Sequence, residues 1–150
     1  MNDEEYMGLA LSEAQKAYAL GEVPIGAVVV KDGEVIASAH NLRETGNDAT
    51  AHAEVLAIRR ACEKLGHWRL TGATLYVTIE PCPMCAGALV MSRVDRLVYG
   101  AADYKAGAVE SLFNITNHSS LNHRMEVRAG VREEECRTLM KEFFRERRKK

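Results

Sequence analysis

Residues 73–92 read ATLYVTIEPCPMCAGALVMS. The first seven are uncharged and rich in β-branched and aromatic side chains, the pattern of a buried strand. The last eight, CAGALVMS, are apolar almost all round and predict a short helix covered on most sides. Between them, EPCPMC carries two prolines. They suit the first turn of a helix, where the N–H they lack would have no partner. A strand passing straight into a helix, with VDRLVYG as the next strand, is a β–α–β unit, and such units pair their strands in parallel.

Working upstream, PIGAVVV and EVIASAH flank KDG and predict an antiparallel β-hairpin. AHAEVLAIRRACEKLG predicts a second helix. Its apolar face is Ala53, Leu56, Ala57 and Ala61, and Gly66 stops it. Residues 4–20 form a first helix on Met7, Ala10, Leu11, Ala14 and Ala17, stopped by Gly21. Downstream, residues 101–124 read as loop with one helical turn over SLFNI, and MEVRAG as a short last strand. A final helix from Glu133 lines up Cys136, Leu139, Met140 and Phe143 on one side. The order α-β-β-α-β-α-β-(loop)-β-α predicts an α/β fold with a mixed sheet and helices on both faces. No repeat, low-complexity segment or linker divides residues 1–150, which read as one domain.

Composition narrows the class. The chain has 47% hydrophobic and 27% charged residues, ordinary for a soluble globular protein. A net charge of −1 provides no global attraction to nucleic acid or membrane, so any basic patch must be local. Four cysteines in 150 residues make no disulfide framework. The first residues, MNDEEYMGLALSEAQ, lack the basic and apolar regions of a secretion signal, and no apolar run has membrane-spanning length. These features predict a cytosolic protein with thiols reduced or bound to metal.

Two segments carry chemistry. TAHAEV contains His52 and Glu54, and EPCPMC contains Cys82 and Cys85. Together they spell H-x-E … P-C-x-x-C, the signature of zinc deaminases acting on nucleobases. Imidazole and thiolate suit tetrahedral zinc, and three protein ligands leave the fourth place to water, whose pKa the metal lowers to about 7. Residues i and i+3 share a helix face, so Cys82 and Cys85 can grip one ion, and the helix N-terminus favours their thiolates. His52 and Glu54 would diverge by roughly 200° on a regular helix. Both can face one ion only where the chain is just starting the helix, with Thr50 or Asp48 as its cap. A structural zinc would need a fourth protein ligand. Cys62 lies about 15 Å along the helix from His52 and cannot supply it. Cys136 and His40 remain open. Glu54 between His52 and the thiolates reads as the general acid–base.

Over essentially its whole length the sequence resembles the bacterial tRNA-specific adenosine deaminases, within the cytidine deaminase-like superfamily. The matching stretches are GEVPIGAVVV, HNLRE, TAHAE, LYVTIEPCPMCAGA, VYGAADYKAGA and LNHR. The chain departs from the pattern at Glu110, in VESLF, where relatives usually carry glycine. The resemblance implies a three-layer α/β/α sandwich on a five-stranded sheet, a homodimer, and one zinc ion per subunit without organic cofactor. It implies hydrolytic deamination of adenosine to inosine at the wobble position of tRNA, with Glu54 moving the protons. It further implies that Asn41 hydrogen-bonds the flipped-out base and that Asp103 contacts the neighbouring nucleotide. Asn122 and Lys105 are further candidates for tRNA contacts. On their residues alone, Asn41 reads as a turn residue and Asp103 as a loop acid.

Other features have two readings. Arg145, Arg147, Arg148, Lys149 and Lys150 form either an arm for tRNA phosphates or the basic end that a helix dipole favours. Cys62 and Cys136 read as small core residues, and Trp68 as partial core. Two rival functions are a deaminase of free bases or nucleotides with the same metal centre, and a non-catalytic zinc-stabilised binding domain.

Overall fold

The computed structural model describes residues 1–148. The elements are α1 (Asp3–Ala19), β1 (Gly26–Lys31), β2 (Glu34–His40), α2 (Ala53–Leu65), β3 (Ala73–Ile79), α3 (Pro83–Met91), β4 (Arg96–Ala101), β5 (Glu126–Ala129) and α4 (Glu133–Arg148). They form one mixed sheet in the order β2-β1-β3-β4-β5. β1 runs antiparallel to both β2 and β3, while β3, β4 and β5 run parallel. The expected α/β class and mixed five-stranded sheet are therefore observed.

Local sequence explains the elements. Asp32 and Gly33 both take positive φ, 52° and 72°, which is the tight turn whose twist suits a hairpin. Lys31 thereby pairs with Glu34, and a bulge follows where the register shifts between Val29 and Val30. Gly26 begins β1 beneath α1, where a Cβ would lie 2.0 Å from the Ala10 carbonyl oxygen, so no side chain fits. Gly66 ends α2 in the left-handed region, as its position in the sequence predicts.

Alternation along the strands divides the core in two. Val29, Leu75, Val77 and Leu97 face α2 and α3, packing with Ala53, Ala57, Ile58, Ala61, Leu89 and Val90. Val28, Val30, Tyr76 and Val98 face the other way, against Tyr6, Met7, Ala10 and Leu11 of α1 and Cys136 of α4. Helices thus cover both faces, and α2 and α3 lie on the same one. No helix among the described residues is long and apolar enough to cross a membrane.

Two local expectations fail. SLFNI is irregular after a turn at Ser111 and a bend at Leu112, rather than a helical turn. The N–H groups of Leu112 and Ile115 go instead to the carbonyls of Gly107 and Ala108, so no helical ladder forms. Trp68 is exposed rather than part of the core, with the Arg69 guanidinium 4.8 Å from its ring centre. At the other terminus, Arg147 packs over Phe143 and donates to the Gly21 carbonyl, a structural engagement of one basic tail residue. Lys149 and Lys150 lie outside the described residues.

Asp3 ties α1 to three strands. Its carboxylate accepts from Tyr76 Oη at 2.7 Å, both Arg96 Nη atoms at 2.8 Å and Arg128 Nη1 at 2.6 Å. Arg96 above all holds this carboxyl well below the usual carboxylate range, against the opposing effect of burial. A carboxylate depressed in the folded state stabilises it above the ordinary carboxylate pKa and loses that contribution as pH falls through the native value. Asp3→Asn should therefore cost roughly 1–3 kcal/mol at neutral pH. In urea unfolding the gap from wild type should narrow steadily below about pH 4.

Candidate active site

β2 and β3 point the same way because β1, between them, opposes both. The helices that follow them, α2 and α3, therefore start at the same edge of the sheet. They cover the same face. Their N-termini meet, and each starts on a motif residue: His52 is the N-cap of α2 and Cys82 the N-cap of α3. Both have extended backbones, with ψ of 149° and 174°, so their side chains leave the helical spiral. This resolves the divergence expected of His52 and Glu54 on a regular helix.

Neither side chain caps its own helix. α3 starts on Pro83, which has no N–H to satisfy. At α2, the Ala53 N–H donates to Asn41 Oδ1 at 2.8 Å. The expected cap, Asp48 or Thr50, lies too early in the chain. Asp48 Oδ1 accepts instead from the Thr50 N–H and hydroxyl at 2.9 and 2.7 Å, forming a turn before the helix. Asn41 is buried immediately after β2, and its oxygen is spent on α2.

His52, Cys82 and Cys85 form a cluster able to hold a metal ion, their ligand atoms all within 4.8 Å of one another. His52 Nδ1 lies 3.7 Å from Cys82 Sγ and 3.5 Å from Cys85 Sγ. The Cys85 thiol and His52 hold Cys82 down to about 4. The hydrogen bond to Cys82, and burial, push the Cys85 thiol far up, and contact with Cys82 raises His52. One thiolate thus forms readily, and the second needs a cation to balance it. The two other residues left open as ligands do not join. His40 Nδ1 lies 2.9 Å from Glu13 Oε1, and Cys136 belongs to the core on the opposite face, against Gly100.

Glu54 sits in the first turn of α2 and is buried. One of its oxygens, Oε1, has no hydrogen-bond partner among the described residues. Burial pushes its carboxyl up to about 7, reinforced by the nearby Cys82 thiolate. A carboxyl poised there exchanges protons at neutral pH.

Two further acids shape the surroundings and escaped sequence reasoning. Glu22 accepts from the N–H groups of Glu44 and Thr45, at 3.2 and 2.6 Å, and organises the loop after Asn41. Glu80, just before Pro81, gathers donors from residues 103–111. Burial opposes ionisation of both, yet these N–H groups hold each below its ordinary value. The signal was an acid inside an apolar run; its partners, 22 to 31 residues away, leave no mark in the sequence.

The remaining candidates differ in position. Asp103 follows β4 at the same sheet edge as the cluster. Its Oδ1 accepts from the N–H groups of Lys105 and Ala106, so that oxygen folds its own loop. Lys105 is exposed beside it. Asn122 is also exposed, but its neighbour His123 bonds the Val94 carbonyl at 2.6 Å. That anchor lies at the opposite end of β4, about 17 Å from the site edge by strand rise.

The family of MafB19-like deaminases matches residues 1–148. The tRNA-specific adenosine deaminase of Bacillus subtilis is 59% identical over 99% of this chain and 92% of its own length. The chain belongs to the tRNA-specific adenosine deaminase family. A structure from a study of A-to-I editing by tRNA:A34 deaminases superposes with a TM-score of 0.87, at 50% identity over 90% of this chain and 98% of that one. The guanine deaminase of Nitrosomonas europaea is more distant, with a TM-score of 0.78 and 28% identity over 93% of this chain and 83% of its own. In this deaminase, Cys85→Ala should lower tightly held metal from stoichiometric to background in elemental analysis, while far-ultraviolet circular dichroism stays near wild type.

Proposed function

We propose that this protein converts adenosine to inosine by hydrolysis at wobble position 34 of tRNA, using zinc held by His52, Cys82 and Cys85. The observation that carries the reading is the unpartnered, buried oxygen of Glu54 beside a three-donor cluster, in a chain 59% identical to a tRNA-specific adenosine deaminase. Zinc–sulfur and zinc–nitrogen bonds of ordinary length, at tetrahedral angles, separate nitrogen from sulfur by about 3.6 Å. The observed 3.5 and 3.7 Å fit that ion. Three donors rather than four among the described residues argue against a purely structural centre. Bound there, zinc would supply the Lewis acidity that makes water nucleophilic near neutral pH.

The protein's own groups do the rest. Glu54 accepts the proton of the attacking water and passes it to N1 of adenine as the C6–O bond forms. Glu54 then carries the proton of the new C6 hydroxyl to the amino group, the C6–N bond breaks, ammonia leaves and the C6 carbonyl of inosine remains. With its oxygen already accepting from the Ala53 N–H, Asn41 has its amide N–H groups to offer the base. That suits an acceptor such as N7, or the oxygen developing at C6. Asp103 and Lys105 stand at the rim, where the neighbouring nucleotide would lie. A contact from Asn122 would be with RNA remote from the reacting base.

We also propose that residues 1–150 act as one catalytic domain, and that it works in the cytoplasm, where its substrate is. We propose a homodimer as well, because α3 buries Cys85, Ala86, Leu89 and Val90 yet still presents Met84 and Met91, the latter 70% exposed. Trp68 and Leu65 are exposed as well. A second copy of the chain would cover such a face.

Incubation with tRNA carrying adenosine at position 34, and separately with free adenosine, cytidine and guanine, tests the function. Inosine should form in the tRNA alone; turnover of free guanine without tRNA editing would favour the free-base reading. Glu54→Ala should lower the tRNA rate by about 10²–10⁴-fold while leaving bound metal intact.

A further inference from the structure

The loop from residue 102 to residue 115 joins β4 towards β5 without regular structure, yet it is not loosely attached. Glu80, 2% exposed, stands at the end of β3 with both carboxylate oxygens turned into it. Oε2 accepts from three successive N–H groups, those of Val109, Glu110 and Ser111, at 3.1, 2.8 and 3.0 Å. Oε1 accepts from the Asp103 N–H at 3.1 Å and the Ser111 hydroxyl at 2.5 Å. The loop therefore closes around one buried charge, like an anion in a nest of amides.

The same short segment is bonded to the residue that precedes one of the cluster's cysteines. Ala108 N–H donates to the Pro81 carbonyl at 2.8 Å, and Pro81 immediately precedes Cys82. The loop is thus referenced to the ligand-bearing start of α3 by one charge and one backbone bond. Gly107 makes the approach possible: a Cβ there would lie 2.4 Å from Glu80 Cδ and 2.5 Å from the Asp103 carbonyl oxygen. The departure at Glu110 adds a bond, since its carboxylate accepts from the Tyr99 hydroxyl at 2.5 Å. At its start, nearest the site, the loop carries the half-buried Asp103 and the exposed Tyr104 and Lys105. Tyr104 is 76% exposed and packs against no aromatic ring among the described residues.

We infer that Glu80 is a positioning residue for RNA binding, setting the height and angle at which Asp103, Tyr104 and Lys105 meet the nucleotides flanking the target base. The inference rests on the tRNA reading given above. Its logic is geometric. An exposed aromatic ring between an acid and a base can stack on an unstacked nucleotide. It does so productively only if its distance from the reacting base is constant. A free loop would not hold that distance, whereas one hung on a buried carboxylate beside Cys82 would.

Glu80→Gln is the discriminating variant. An amide can keep one acceptor for the three successive N–H groups, but it then places an NH₂ against the Asp103 N–H. The break falls at the end of the loop that faces substrate. With the full-length, metal-loaded protein and tRNA, KM should rise roughly tenfold to a hundredfold, with kcat little changed and bound metal unaltered. Gly107→Ala, which pushes on the same carboxylate from the loop side, should reproduce the split. Amide hydrogen exchange at Asp103, Val109, Glu110 and Ser111 should quicken in both. If exchange quickens while KM for tRNA stays at the wild-type value, Glu80 is a structural staple only and the inference fails. Loss of metal from Glu80→Gln would also overturn it, since the residue would then be acting through Cys82. A wild-type protein that leaves tRNA unedited but deaminates a free base would overturn the functional reading instead, and the loop's role with it.

Discussion

One constraint governs the site: β1 lies between β2 and β3 and opposes both. That insertion makes β2 and β3 run the same way, and the helices after them begin at one sheet edge. Because α2 and α3 also cover the same face, their N-termini converge. The free N–H groups and positive dipole ends of both then point at a common space, which favours negative charge there. One thiol and one imidazole, of Cys82 and His52, enter that space from N-cap positions, where an extended backbone lets a side chain turn off the helix axis, and the Cys85 thiol enters it from the first turn of α3. Asn41 and Asp103 follow strands β2 and β4 to the same edge. Ligands of open α/β sheets gather outside the carboxyl ends of strands for the same topological reason.

Three buried glutamates show how surroundings assign roles to one side chain. Glu22 and Glu80 are surrounded by backbone N–H groups, and their carboxyls ionise more readily than usual despite burial. Glu54 is buried with an oxygen that has no donor, and its carboxyl is pushed up to about 7. The first two are permanent charges that shape loops. The third can take up and release a proton at neutral pH. Hydrogen bonds to the charged form separate the two outcomes, since desolvation acts the same way on all three.

The strand–helix order and the donor set were legible because they rest on local patterns. Alternating or continuous apolar runs mark strands, glycine marks the stop of α2, and H-x-E with P-C-x-x-C names the chemistry. The strand order was not legible, because nothing in PIGAVVV says that it pairs with ATLYVTI on its second edge. The cap of α2 was missed for a related reason. Asp48 and Thr50 are the near candidates by sequence, but Asn41, twelve residues back, reaches Ala53 through the fold. SLFNI has an apolar pattern that a helical turn could use, yet the loop spends its N–H groups on Glu80 and on the Gly107 and Ala108 carbonyls. At each of these positions an acceptor outside the local pattern took the N–H: a distant one for Ala53 and Ser111, and a nearby loop carbonyl for Leu112 and Ile115.

The centre itself cannot choose between substrates. Hydrolysis of any purine amine asks for the same three things: a nucleophilic water, a proton carrier, and a donor or acceptor to hold the ring. In the proposed mechanism His52, Cys82, Cys85, Glu54 and Asn41 would meet those needs whether the purine is free or part of a chain. Discrimination must come from what a free base lacks, namely a ribose, phosphates and neighbouring nucleotides. Those groups extend past the mouth of the site, where the residues after Ala101 stand. A loop there contributes to selectivity only insofar as its position is defined relative to the metal donors. The bonds from Glu80 and to the Pro81 carbonyl supply such a definition, and under the proposed reading substrate choice would depend on how rigidly that loop is referenced to Cys82.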